Sequence, residues 1–178
     1  MKEAELLKQG KIGVMPTDTL YGLVASAVNE EAIRRVYTIK KRAPEKRCII
    51  LIASLDDLER FNVSLTEQQK KVLAHVWPGP VSVVISGGHA FRLPADERLV
   101  SFLKESGPVI APSANPEGLP PAETIEEARK YFGDTVDFYI DSGRFPDLPS
   151  TLVALDEHGA VTVLRQGGVL IPKHYLQS

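Results

Sequence analysis

Three short polar segments carry side chains that could bind a polar ligand: Thr17-Asp18-Thr19, Ser113-Ala114-Asn115 and Ser150-Thr151. Each follows a candidate strand, a position where a rigid scaffold presents binding groups. Their hydroxyl and amide groups suit an amino acid or a ribose phosphate. The same residue types also favour turns and helix caps, so for any one segment taken alone turn chemistry is the better interpretation.

A basic cluster, residues 34–47, lies between the first two of these segments. It holds seven of the chain's 21 Lys and Arg residues, although the formal net charge is −2. Such crowding of cations indicates a surface that faces an anion. Lys40 and Arg42 can converge on one ligand only if the helix before them ends there, and Pro44 favours such an end. We expect both side chains to be exposed and to hold a triphosphate or a carboxylate. A solvated helix end is the alternative.

The elements that must position these groups alternate between helices and strands without the strict period of a barrel or a doubly wound fold. A hairpin and several short strands predict an α/β (α+β) domain, in which helices pack on a mixed sheet. The predicted helices cover residues 2–9, a segment capped by Asn29, 55–61, 66–75, 97–104 and 124–133. The predicted strands cover 12–15, 48–53, 80–86, 91–93, 108–111, 136–140 and the hairpin 151–155 with 160–164.

Composition and missing motifs exclude several classes of protein. With 178 residues, 43% apolar and 25% charged, the chain is typical of one globular domain, residues 1–178, and not of a disordered protein. No apolar run reaches the roughly 20 residues that span a bilayer. The N-terminus lacks the features of a secretory signal, so we expect a cytoplasmic protein without membrane contact. Cys48 is the only cysteine, which excludes an intrachain disulfide. The histidines are scattered, and we predict no metal site.

Seven motifs in a fixed order resemble one known family. They are Pro-Thr-Asp-Thr-x-Tyr-Gly-Leu (16–23), Ile-Lys-Lys-Arg (39–42), Trp-Pro-Gly-Pro (77–80), Arg-Leu-Pro (92–94), Ala-Pro-Ser-Ala-Asn (111–115), Pro-Ser-Thr-Leu-Val (149–153) and Leu-Arg-Gln-Gly-Gly (164–168). Over residues 4–170 the chain closely resembles the Sua5/YciO/YrdC family of threonylcarbamoyl-AMP synthases. The resemblance implies a YrdC-like twisted mixed β-sheet, flanked by helices, with a basic concave active site. It also implies the short form, without the additional C-terminal domain of longer members.

The activity implied by the resemblance is that of a nucleotidyltransferase. It joins L-threonine, bicarbonate and ATP into L-threonylcarbamoyl-AMP and releases pyrophosphate, with Mg²⁺ carried on the nucleotide. The product serves the N6-threonylcarbamoyladenosine (t6A) modification at position 37 of tRNAs that read codons beginning with A. A threonylcarbamoyl transferase that modifies tRNA would accept this product. The basic surface is also compatible with weak RNA binding. The alternatives are an RNA-binding module and a same-fold paralogue acting on another substrate.

The resemblance also assigns roles to individual residues. The catalytic pair would be Lys40 and Arg42. The threonine-binding residues would be Thr19, Arg92, Ala111 and Ser150. The nucleotide-binding residues would be Lys40, Arg42, Lys46, Ser113, Asn115 and Arg165.

Overall fold

A computed structural model describes residues 1–85, 88–145 and 148–172. Its helices are α1 (Lys2–Lys8), α2 (Glu30–Lys40), α3 (Glu67–Val76), α4 (Glu97–Ser106) and α5 (Ile125–Phe132), with short 3₁₀ helices at Leu55–Phe61 and Gly133–Thr135. Its strands are β1 (Gly13–Pro16), β2 (Tyr21–Ser26), β3 (Ile49–Leu51), β4 (Val81–Ile85), β5 (His89–Arg92), β6 (Val109–Ile110), β7 (Phe138–Tyr139), β8 (Thr151–Leu155) and β9 (Val161–Arg165). Among the described residues, none of these helices is long and apolar enough to cross a membrane.

The nine strands form one sheet in the order β7-β1-β2-β6-β3-β5-β4-β8-β9. Strand β1 pairs with β7, β3 with β5 and β4 with β8 in parallel, whereas the other neighbouring pairs are antiparallel. The sheet is therefore mixed, as predicted. Crossovers place strands that are far apart in the sequence next to each other, such as β2 with β6 and β4 with β8.

Helices cover both faces of the sheet. Alternate strand residues point to opposite faces, so Ile50 and Leu51 of β3 enter different hydrophobic clusters. One cluster includes buried residues of α2, α3 and α5, and the other includes those of α1 and α4. This two-sided cover confirms that the apolar run 48–53 is a strand buried on both faces, although its regular part is shorter than predicted.

Most predicted elements are confirmed, with two omissions, strand β2 and the short 3₁₀ helix Gly133–Thr135, and one difference of type. Strand β2 was not predicted, although all six of its residues are buried. The segment Leu55–Phe61 is a 3₁₀ helix rather than an α-helix, and Asp57 accepts hydrogen bonds from the backbone N–H groups of Ala53 and Ser54. Ser86, the predicted end of one strand, and residues 173–178 of the predicted single domain lie outside the described residues.

Candidate active site

A cavity of about 370 Å³ lies where β3 and β8 begin and where β6 and β9 end. Its cationic lining residues are Arg42, Arg47, Arg92 and Arg165, and its hydroxyl-bearing ones are Thr17, Ser113 and Ser150. No Asp or Glu of the described ranges lines it. A larger groove of about 580 Å³ runs beside α2, but only Arg42 among these residues borders it. The smaller cavity is therefore the candidate active site, because it combines the polar segments with cations.

The Ser113 side of the cavity is held by a buried lysine. Helix α2 ends at Lys40, and the next residue, Lys41, adopts a left-handed conformation. The Nζ atom of Lys40 donates hydrogen bonds to the carbonyl oxygens of Ser113 and Asn115, each at 2.5 Å, and lies 3.4 Å from Asn115 Oδ1. The Ser113 hydroxyl donates to the same Oδ1 at 2.6 Å. Lys40 is 2% exposed, so the expectation of an exposed side chain is wrong: its ammonium lies behind the cavity wall.

The Ser150 side of the cavity is held by hydroxyl groups and an arginine. The hydroxyls of Ser82 and Ser150 lie 2.9 Å apart, and Arg165 Nη2 donates to the Ser150 carbonyl oxygen at 3.0 Å. The Thr151 hydroxyl donates to the carbonyl oxygen of Val169 at 2.6 Å and accepts from the N–H of Gly167 at 3.0 Å. Residues 165–169 therefore form a strap that holds the beginning of β8 against the cavity.

The basic side of the cavity begins just after α2. Arg42 Nε donates to the carbonyl oxygen of Lys46 at 2.7 Å, and Arg42 Nη2 donates to that of Arg47 at 3.2 Å. These bonds join the start of the loop between α2 and β3 to its end. Cys48 lies next to this loop at the cavity wall, and burial raises the pKa of its thiol. Cys48 is therefore held as a thiol and not as a thiolate.

The first polar segment forms the turn between β1 and β2. The Thr17 hydroxyl donates to the Leu20 carbonyl oxygen at 2.7 Å, and its backbone N–H bonds the same oxygen at 2.9 Å. Thr17 lines the cavity, whereas Thr19 lies beside it, with 3.4 Å between the two hydroxyl oxygens. Asp18 forms an ion pair with Arg92, in which Oδ1 and Nη2 are 2.8 Å apart. The segment thus performs turn chemistry and also contributes to the cavity.

The structure brings six of the ten predicted site residues to the cavity wall and sets four away from it. Those at the wall are Arg42, Arg92, Ala111, Ser113, Ser150 and Arg165. Lys40 and Asn115 lie behind Ser113, Thr19 lies beside Thr17, and Lys46 is exposed in an ion pair with Glu117. Thr17, Arg47 and Cys48 line the cavity without having been assigned a role individually. Thr17 has a sequence signal because it belongs to the first motif, and Arg47 has one because it belongs to the basic cluster, whereas Cys48 has none.

The electrostatics of the cavity favour an anionic ligand. Burial and the neighbouring Arg165 lower the pKa of Arg92, and Asp18 partly opposes that shift. Burial and Arg42 lower the pKa of Arg165, and the same two causes lower that of Lys40 to about 8. These shifts arise because cations crowd a poorly hydrated region, and an anion placed between them would relieve the repulsion. Among the described residues, no group of three or more His, Cys, Asp or Glu side chains could hold a metal ion.

The arrangement of polar segments matches a known family. The sequence profile Sua5_yciO_yrdC, described as telomere recombination, matches residues 5–167. This chain belongs to the Sua5/YciO/YrdC family. The matched residues include every cavity residue named above, so family membership covers the site as well as the fold.

Over the aligned residues, relatives with curated names are about one third identical to this chain. A threonylcarbamoyl-AMP synthase of Pyrococcus abyssi is 33% identical over 93% of this chain, which spans 53% of that relative's length. A threonylcarbamoyl-AMP synthase of Cellvibrio japonicus is 32% identical over 75% of this chain and 78% of the relative. The crystal structure of P. abyssi Sua5 complexed with L-threonine is 30% identical, with a TM-score of 0.84 over 94% of this Sua5/YciO/YrdC chain and 53% of that one.

Proposed function

We propose that this protein is a threonylcarbamoyl-AMP synthase, which joins L-threonine, bicarbonate and ATP into L-threonylcarbamoyl-AMP and releases pyrophosphate. The observation that carries the proposal is a cavity with four arginines, three hydroxyl-bearing residues and, among the described residues, no carboxylate in its lining. A triphosphate, bicarbonate and an amino-acid carboxylate are all anions, and only a cationic cavity can collect them. The names of the relatives agree with this chemistry.

The threonine end of the site is supported by Arg92 and Ser150, which are 3% and 2% exposed. A buried guanidinium binds a carboxylate more strongly than an exposed one does, because water competes less. The hydroxyl of Ser150, already within reach of Ser82 and Arg165, can read the threonine hydroxyl. We assign Ala111 to the cavity wall beside the threonine substrate. We assign Thr19, whose hydroxyl lies next to that of Thr17, to hydrogen bonding with the polar groups of the substrate.

The phosphate end of the site is supported by Arg42 and Arg165, with Ser113 in the same cavity lining. These cations would stabilise the charge that develops on the phosphoryl oxygens. Lys40 and Asn115 contribute by holding the Ser113 segment in place, a role that their hydrogen bonds support. We assign Lys46 to the rim, where release of Glu117 would free its ammonium for the nucleotide.

The reaction proceeds by direct attack without a covalent enzyme intermediate. The threonine amine reacts with bicarbonate to give a carbamate and water. A carbamate oxygen then attacks the α-phosphorus of ATP, and the bond to the bridging oxygen breaks as pyrophosphate leaves with the electron pair. The protein supplies position and charge, because orientation alone raises effective concentrations to about 10⁵ M or more.

The cavity lining offers no anionic ligand for a resident metal within the described residues. Mg²⁺ would therefore enter on the triphosphate as part of the substrate. We further propose a cytoplasmic enzyme, since one unpaired cysteine suits a reducing compartment. One domain would suffice for catalysis, because every side chain assigned above belongs to it.

The product and its acceptor follow from the same proposal. L-threonylcarbamoyl-AMP is a mixed anhydride, which water hydrolyses, so a tRNA-modifying threonylcarbamoyl transferase must take it up soon after release. The modified base would be t6A at position 37 of tRNAs that read codons beginning with A. Weak RNA binding at the basic rim would aid the transfer.

Incubation with threonine, bicarbonate and ATP tests the proposal directly. We expect pyrophosphate release that requires all three substrates, and a product whose mass is that of threonylcarbamoyl-AMP. Arg42→Ala should lower turnover about 100-fold, whereas Arg60→Ala, which removes only an exposed pair with Asp57, should not. Salt-sensitive RNA binding without turnover would support the RNA-binding module instead, and turnover with another amino acid but not threonine would support the paralogue.

A further inference from the structure

The Asp18–Arg92 ion pair joins two strands at the edge of the cavity. Asp18 lies in the turn between β1 and β2, and Arg92 is the last residue of β5. Their side chains are 9% and 4% exposed, and the Oδ1 and Nη2 atoms are 2.8 Å apart. Arg92 lines the cavity, but Asp18 does not. Asp18 therefore contacts the cavity through Arg92 and not directly.

The two charged groups of the pair are in contact, but their hydrogen bonding is incomplete. Apart from the 2.8 Å contact between Asp18 Oδ1 and Arg92 Nη2, the buried carboxylate oxygens of Asp18 and the Nε atom of Arg92 have no well-aligned hydrogen-bond partner within the described part of the chain. The only other such side-chain atom there is Gln69 Nε2. Buried polar atoms without partners are costly, and native structures tolerate few of them. Their concentration at one ion pair indicates that the pair is retained for a purpose other than stability.

The negative charge of Asp18 balances the positive charge of the Arg92 guanidinium, whose other charged neighbour is the cation Arg165. Burial and Arg165 disfavour the charged form of Arg92, and among the named causes only Asp18 favours it. Burial raises the pKa of Asp18, and Asp96 is the other carboxylate that acts on it. A buried cation that loses its counter-ion moves toward water or toward another anion. Without Asp18, Arg92 would therefore have no single preferred orientation.

We propose that Asp18 is a positioning residue, which fixes the orientation of the Arg92 guanidinium and thereby sets the affinity of the site for the carboxylate of its amino-acid substrate. The inference rests on the proposed function. A guanidinium is a planar fork, and its binding to a carboxylate through two parallel hydrogen bonds depends on the rotation of that plane. Asp18 contacts the Nη2 end of this fork, so the ion pair sets the rotation of the guanidinium plane.

The test compares wild type with Asp18→Asn, which keeps the shape and removes the charge, and with Asp18→Glu, which keeps the charge. Asp137→Asn is the matched control, since it breaks an ion pair with Arg35 that does not border the cavity. Binding of threonine, threonine amide and ATP is measured by calorimetry. We expect Asp18→Asn to weaken threonine binding about tenfold, with ATP binding changed less than about twofold. Asp18→Glu should recover part of the loss, and Asp137→Asn should match wild type.

Threonine amide separates positioning from a general loss of structure, because it lacks the carboxylate. Wild type should prefer threonine over the amide, and Asp18→Asn should lose most of that preference. Equal weakening of threonine, the amide and ATP in Asp18→Asn would overturn the inference, as would unchanged threonine binding. If Asp18→Asn does not fold, an unchanged threonine-to-amide ratio in Asp18→Glu would overturn it, whereas a reduced ratio would support it. No threonine binding by wild type would overturn the proposed function and the inference together.

Discussion

Two segments face the cavity, and the fold secures them by different physical means. The Ser113 segment is held by the buried ammonium of Lys40, which bonds two backbone carbonyls across a sequence separation of more than 70 residues. The Ser150 segment is held by the Thr151 hydroxyl and by the close approach of Gly167. One attachment therefore depends on a buried hydrogen-bond donor, and the other depends on shape.

This difference determines what each segment tolerates. A buried ammonium must lose most of its hydration, so its attachment responds to pH and to the removal of the charge. A close backbone approach leaves no free volume, so it responds to the addition of a single carbon atom. The two sides of one site should consequently fail under different perturbations.

The largest expected effect is that of Gly167→Ala. A Cβ atom at this position would meet the backbone of Pro149, Ser150 and Thr151 at less than 3.0 Å, a separation that real Cβ atoms essentially never show. We expect a loss of about 3 kcal/mol or more in the free energy of unfolding, measured in urea, together with weaker threonine binding.

Gly168→Ala is the matched control for that variant. Its Cβ atom would meet only the side chain of Leu148, which is 56% exposed and can move away. Equal stability of the two variants would contradict the view that backbone contact secures the Ser150 segment.

The second effect is that of Lys40→Met, which removes the charge and the donor to the Asn115 carbonyl, and leaves the Ser113 carbonyl with only the N–H of Asn115. Buried acceptors without partners cost about 1–3 kcal/mol, so we expect destabilisation of about 2 kcal/mol. Thermal and urea unfolding measure it, and Lys46→Met, an exposed rim lysine, should change stability by less than about 0.5 kcal/mol. Unchanged stability of Lys40→Met with lost turnover would instead place Lys40 directly on the substrate.

The third effect is that of Thr151→Val, which keeps the shape of the side chain and removes its hydroxyl. The N–H of Gly167 would lose its partner, and the carbonyl of Val169 would keep only the side-chain amide of Gln166. We expect a loss of about 1–2 kcal/mol in urea unfolding, and Thr151→Ser should restore most of it. Unchanged stability of Thr151→Val together with a loss in Thr151→Ser would show that the methyl group, and not the hydroxyl, secures the strap.

The smallest effect is a pH dependence at the Lys40 attachment. Burial and Arg42 lower the pKa of Lys40 to about 8 from 10.5. Between these values the unfolded chain binds more protons than the folded one, so stability rises with pH. We expect a gain of about 1 kcal/mol between pH 8 and 9, relative to Lys40→Met measured in parallel. A difference that stays constant with pH would mean that the carbonyl acceptors keep Lys40 charged throughout.

Local sequence signals were sufficient for most elements of the fold. The Asn29 side chain caps α2 by accepting from the N–H of Ala32, and the hairpin of β8 and β9 has the predicted turn. These features depend on contacts between residues close in the chain, which composition and spacing reveal. Strand β2 was missed because Gly22, Ala25 and Ser26 have weak strand propensity. Its pairing with β1 and β6 stabilises the strand in spite of that weak propensity.

The sequence by itself determined which residue types belong to the site, since the ordered motifs contain all the polar segments at the cavity. Only the tertiary structure decided which side chains reach the cavity and which support it. Lys40 turns inward because the carbonyls of Ser113 and Asn115 lie beside the end of α2, and Asp18 lies behind Arg92 because β1, β2 and β5 belong to one sheet. Both contacts join residues more than 70 positions apart, and local spacing carries no information about the direction of a side chain over such a distance.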